Sequence, residues 1–133
     1  MTLQEALAQQ KRPKYGNRKI KTPDGEFDSN REYERWNELK LMQMAGAITD
    51  LKRQVKYELI PTQRDKAGKV LEEKVSYIAD FDYWEISTHP AAAGVAMRHI
   101  VEDVKSEATK TRAYIIKRKL MLERYGIRIK EVE

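Results

Sequence analysis

Tyr77-Ile78-Ala79-Asp80-Phe81-Asp82-Tyr83-Trp84, followed after an irregular segment by His99-Ile100-Val101-Glu102-Asp103-Val104-Lys105, is the stretch whose reading decides the fold. Both runs are rich in β-branched and aromatic residues and predict strands. In the second, Asp103 and Lys105 stand two places apart. Strand side chains alternate faces, so these two heads project from one face roughly 6–7 Å apart. With the first strand paired beside it, Asp80 stands next to Asp103. Two carboxylates and an ammonium then converge on one patch, which suits a divalent cation, a phosphate and a water.

Upstream of these strands, Lys52 to Ile60 alternates with Val55, Tyr57 and Leu59 on one side and predicts a half-buried strand closed by Pro61. Ile48 to Asp50 is expected as a short connection. Gln63 to Lys69 reads as a polar loop, and Val70 to Ser87 as one long strand. Alternation assigns Val75, Tyr77, Ala79, Phe81 and Tyr83 to one face of that strand. Ile78, Asp80, Asp82 and Trp84 fall on the other. A helix is predicted from Ser29, with Glu32 as its capping-box partner, to Ala45, stopping at Gly46. Glu32, Trp36, Leu39 and Gln43 share its inward stripe, broadened by Tyr33, Leu41 and Met44. Before the helix, Tyr15–Lys21 and Glu26–Asp28 form a hairpin around Pro23-Asp24-Gly25.

Downstream, Thr88 to Met97 reads as a loop. Thr109 to Tyr125 is expected as a basic helix ended by Gly126, with Thr109, Ala113, Ile116 and Leu120 packed inward. Lys110, Lys117 and Arg124 recur every seven places on another side. Ile127 to Val132 alternates as a last strand at a sheet edge. At the start of the chain, Thr2 to Gln10 forms a short helix or, with Lys11-Arg12-Pro13-Lys14, a basic arm. The domain reading is thus an arm or short helix over residues 1–14 and a single domain over 15–133. The order hairpin, helix, three strands, helix, strand predicts an α/β (α+β) fold, a mixed sheet with helices against it.

Charge narrows the partners. The 133 residues carry 26 Lys and Arg against 21 Asp and Glu, a net charge of +5, which favours a polyanion such as nucleic acid. There are no cysteines and two histidines, which removes disulfides, thiolate metal sites and cysteine nucleophiles. No apolar run is long enough for a bilayer and no signal-peptide pattern opens the chain, so a cytoplasmic protein is expected, in the host cell if phage-encoded.

The ordered set of motifs resembles the PD-(D/E)XK nuclease superfamily, and more closely its small phage-encoded endonucleases of the Holliday-junction-resolvase kind. The residues that carry the resemblance are Tyr15-Gly16-Asn17, Phe27-Asp28-Ser29 with Glu32, Glu38-Leu39-Lys40, Tyr77-Ile78-Ala79-Asp80-Phe81, Val101-Glu102-Asp103-Val104-Lys105 and Lys117-Arg118-Lys119-Leu120. Ala79 stands where that signature has proline, and Asp103 where Glu is frequent. Strand alternation turns Glu102 away from Lys105, so Asp103 is assigned to the site.

The resemblance implies a restriction-endonuclease-like core. It implies catalytic residues Glu32, Asp80, Asp103 and Lys105, and a Mg²⁺ cofactor, with Mn²⁺ as a substitute, on Asp80, Asp103 and Glu32. The Val104 carbonyl is a further donor. Lys105 orients the attacking water or stabilises the charged transition state. The substrate implied is DNA, branched or junction DNA in recombination, cut by a homodimer because two strands need two centres. Lys14, Arg18, Lys19, Lys110, Lys117, Arg118 and Arg124 are the expected nucleic-acid contacts.

Two other readings stand beside it. One is a non-catalytic nucleic-acid-binding domain that retains the nuclease fold; the other is an assembly factor whose basic face binds a protein. Residue by residue, Glu32 also reads as a simple capping group, Asp103 with Lys105 as a surface ion pair, and Lys110, Lys117 and Arg124 as a solvated helix face.

Overall fold

A computed structural model describes residues 19–88 and 94–133. Its elements run β1 (Ile20–Thr22), β2 (Gly25–Phe27), α1 (Asn30–Met44), β3 (Ile48–Ile60), β4 (Gln63–Arg64), β5 (Val70–Glu72), β6 (Val75–Thr88), β7 (Val95–Val104), a 3₁₀ turn (Glu107–Thr109), α2 (Arg112–Tyr125) and β8 (Lys130–Val132). The α+β class expected from the element order is the one observed. A four-stranded mixed sheet has the order β3-β6-β7-β8, and the described residues include two α-helices. Neighbours are antiparallel except β7 and β8, which run parallel through the α2 crossover. β1-β2 and β4-β5 each form a two-stranded sheet of their own. Among the described residues no helix is long and apolar enough to cross a membrane.

The chain divides into two compact units, Met1–Asn37 and Glu38–Glu133. The expected arm and helix over residues 1–14, and the expected contacts Lys14 and Arg18, lie outside the described residues. In the first unit, the β1-β2 turn is pinned by Thr22, whose Oγ1 accepts from the Asp24 N–H at 3.2 Å and donates to the Gly25 carbonyl at 2.8 Å. Phe27 is buried against Tyr33 and Trp36, with ring centroids 5.0 and 6.4 Å away. Ser29 caps α1 as expected: its Oγ accepts from the Glu32 N–H at 3.1 Å.

In the second unit α1 ends at Gly46, in the left-handed region with φ 80°. Leu39 is fully buried, whereas Leu41 and Met44 are 66% and 83% exposed, so the apolar side of α1 is narrower than its composition predicted. The main core gathers Leu59, Tyr77, Ala79, Val101, Tyr114, Met121 and Ile129. For α2 this corrects the expected inward face. Tyr114 and Met121 are buried and Ile116 is 58% exposed, a seven-residue spacing that two helical turns place on one side. Helix α2 also begins later than expected, after Thr111, whose Oγ1 accepts from the Tyr114 N–H at 3.2 Å.

Four strand boundaries differ from the sequence reading. The connection expected at Ile48–Asp50 belongs to β3, which absorbs a bulge between Thr49 and Lys52 with Asp50 at φ 57°. The single strand expected from Val70 is two, because β5 pairs back on β4 before β6 starts. Part of the expected Thr88–Met97 loop is strand: β7 starts at Val95, paired with Thr88. The last strand is shorter than expected, Lys130–Val132, and lies at the sheet edge.

The face assignment in β6 is corrected too. Val101 packs with Tyr77 and Ala79, yet pairs across the ladder with Asp82; Phe81 pairs with Glu102. Directly opposed residues share a face, so Ala79 and Phe81 lie on opposite faces and alternation slips at Asp80. Across from the slip, Gln54 of β3 lies between the pairs Arg53↔Phe81 and Val55↔Ala79 with φ 54°. A left-handed residue in a strand breaks its pleat, and the partner strand follows.

Candidate active site

Asp80, at the slip in β6, stands where β6 and β7 part. The paired register runs from Thr88↔Val95 to Phe81↔Glu102. Just beyond it the Asp80 carboxylate occupies the ladder position itself, Oδ2 accepting from the Val104 N–H at 2.8 Å. Asp is a poor strand residue, and here its side chain replaces a main-chain acceptor at a fork.

On β7, Asp103 is 2% exposed. Its Oδ2 accepts from the Tyr77 hydroxyl at 2.8 Å and lies 3.6 Å from Lys105 Nζ. Asp103 and Lys105 therefore do project from one face, as their spacing predicted. Glu102 takes the other face, its Oε2 accepting from the Tyr83 hydroxyl at 2.6 Å. The Lys105 backbone continues the parallel ladder, its N–H donating to the Val132 carbonyl at 2.8 Å, so β8 is paired along this end of β7. The Lys105 ammonium also sits 4.7 Å over the Tyr114 ring.

Electrostatics tie these groups together. Burial pushes the Tyr77 phenol well above its ordinary pKa, followed by the charge and hydrogen bond of Asp103, then Tyr114 and last the charge of Asp80. Both aspartates thus bear on one hydroxyl. Burial raises Tyr114 as well, with Asp103 next among the causes. Both phenols stay protonated: Tyr77 donates to Asp103, and Tyr114 lines the cleft and lies under the Lys105 ammonium.

A cleft of about 460 Å³ opens on this cluster. Asp103, Lys105 and Tyr77 line it together with Lys56, Ser76 and Lys117. The Ser76 hydroxyl oxygen is buried and without a hydrogen-bond partner among the described residues. Three ammonium groups and an unused hydroxyl around one buried carboxylate make a surface shaped for a polar, anionic guest.

The other expected residues are placed as follows. Glu32 is buried at the start of α1, its Oε2 accepting from the Asp28 N–H at 3.2 Å, a capping geometry. Among the described residues no three acidic or histidine side chains converge as a metal cage. Lys117 lines the cleft. Lys110 pairs with Glu107 at 3.0 Å and with Glu131 at 3.8 Å, and its hydrogen bond to Glu107 is the main reason its pKa is raised. Arg118 pairs with Glu131 at 3.0 Å, Arg124 donates to the Leu59 carbonyl at 3.2 Å, and Lys19 lies 4.0 Å from Asp28. Four expected nucleic-acid contacts are therefore already engaged within the protein.

Sequence reasoning missed Tyr77, Ser76, Lys56 and Tyr114 as parts of the site. Tyr77 alone carried a signal, as the head of the β6 motif, but unbroken alternation aimed it away from Asp80. Lys56 is one more lysine in a chain that holds many.

No curated protein and no solved structure matches the chain. A family model described as "Protein of unknown function (DUF1064)" matches residues 12–131, nearly the whole length including every residue of the cluster, and the chain belongs to that family.

Proposed function

We propose that this protein is a divalent-metal-dependent DNA endonuclease that hydrolyses phosphodiester bonds, with branched DNA as its substrate. The observation that carries this reading is the Asp103-x-Lys105 pair at the mouth of a cation-lined cleft, with Asp80 at the adjoining strand fork. The order helix, three antiparallel strands, crossover helix, parallel strand supports it, because it is the order of the core that the sequence resembles.

Carboxylates from Asp80 and Asp103 and the Val104 carbonyl are hard oxygen donors of the kind Mg²⁺ takes. That ion is held in many sites by one or two carboxylates with water and substrate phosphate completing the shell. An ion held there would neutralise the phosphodiester's charge and acidify a water. The Tyr77 hydroxyl orients Asp103 by occupying Oδ2. Lys105 meets the charge that grows on the phosphoryl oxygens and orients the attacking water. Lys56 and Lys117 hold the flanking backbone. A homodimer supplies the second centre that a junction needs, and the host cytoplasm is the proposed setting.

The test incubates pure protein with branched and linear DNA, with Mg²⁺ or with EDTA. Cutting that needs the metal and falls at least about 100-fold in Lys105→Ala, with DNA binding in EDTA unchanged within about threefold, supports the enzyme. One observation favours a second reading: among the described residues there is no three-acid metal cage. Binding without cutting under any divalent metal would make the protein a non-catalytic nucleic-acid-binding domain on the same fold.

A further inference from the structure

A second cleft, of about 600 Å³, opens on the far stretch of β7. The parallel partner β8 pairs only with Glu102, Asp103 and Val104. Arg98, His99 and Ile100 therefore present an edge that no other strand ladders among the described residues, and such an edge offers main-chain N–H donors. The cleft is also lined by Arg128, in the segment after α2, and by Lys130, the first residue of β8. No acidic residue lines this cleft. Among the described residues neither Arg128 nor Lys130 is paired with a carboxylate. In this they differ from Arg118 and Lys110, which are neutralised by Glu131 and Glu107.

The wall at His99 is built, not incidental. Its Nε2 lies 2.7 Å from Asp82 Oδ1, and Asp82 is 7% exposed. The other Asp82 oxygen accepts from the Tyr57 hydroxyl. The imidazole also stacks on Trp84, with centroids 4.8 Å apart and planes 19° from parallel. A buried carboxylate is unfavourable unless it is well partnered. This one fixes a histidine in the wall of a cationic cleft and touches nothing in the proposed cutting chemistry.

We propose that this cleft is a second docking site for a nucleic-acid strand, taking backbone phosphodiester against Arg128 and Lys130 with the immobilised His99 ring as its side wall. The choice of nucleic acid among polyanions rests on the proposed function. A substrate held here as well as at Asp103 is gripped at two points, as shape recognition without base reading requires.

The test is fluorescence anisotropy of a labelled oligonucleotide in EDTA, where no cutting occurs. The R128A/K130A variant is compared with K66A/K69A, which removes equal charge from the exposed β4-β5 turn. R128A/K130A is expected to weaken binding about tenfold and to flatten the slope of log Kd against log salt by about 1–2, with K66A/K69A close to wild type. H99Q, folded by circular dichroism, is expected to weaken binding by a smaller factor without changing that slope. Equal losses in both double variants mean net charge alone and overturn the site, as does unchanged binding in R128A/K130A. A protein that never cuts yet binds through Arg128 and Lys130 ends the nuclease reading and keeps this one. Intact cutting with binding unmoved in R128A/K130A does the reverse.

Discussion

Glu32 shows how one side chain can satisfy two readings, and how they are separated. Its carboxylate closes the start of α1 on the Asp28 N–H. Glu32→Ala is expected to cost about 1 kcal/mol of stability from the lost cap, read as a small drop in the urea midpoint. If Glu32 also serves the metal, cutting falls far more than that loss explains; if it only caps, cutting at a temperature well below unfolding stays near wild type. Tyr57 makes a different prediction. Burial first, then its hydrogen bond to Asp82 and that group's charge, raises its pKa above the ordinary value. The folded protein therefore keeps a proton that the unfolded chain releases near pH 10. The stability this contributes is complete below about pH 10 and is lost as pH rises above it. A urea midpoint that falls between about pH 9.5 and 11, and falls less steeply in Tyr57→Phe, is the expected outcome; equal slopes in the two proteins would exclude Tyr57 as a source.

Among the elements, α2 offers the sharpest test of local logic. Gly126 takes φ 67°, and its N–H donates to the Leu122 carbonyl at 3.0 Å. A Cβ there would meet nothing within 4 Å. Gly126→Ala should therefore cost about 1–2 kcal/mol through backbone strain alone, lowering Tm with no change in the spectrum of the folded state; no drop in Tm would mean the turn relaxes. This glycine was legible in the sequence, as were Ser29, Gly46 and the Asp103-x-Lys105 spacing, because each depends on neighbours within one turn or one pleat. What was not legible depends on partners far along the chain. The slip at Asp80 is opposite a left-handed Gln54, twenty-six positions earlier, and no alternation rule applied to β6 alone finds it. The Met44 and Ile116 side chains are exposed for the same kind of reason. Their apolar character announces an inward face, but burial is decided by which elements stop short of them.

For the molecule as a whole, the sheet joins an antiparallel meander, β3-β6-β7, to one parallel strand that arrives by a crossover. β6 and β7 meet across a short connection, whereas β8 must wait for α2 to form and cross. Its register, Asp103↔Glu131 and Val104↔Val132, lies on the same short stretch of β7 that bears the acid and the amine. A parallel strand delivered by a crossover cannot pair until that crossover is in place. In a dilution out of urea, most helix and sheet signal should therefore return before DNA cutting does. The proposed DNA cutting should reappear with the phase in which the last strand docks, so the candidate site is the final part of this protein to come into being.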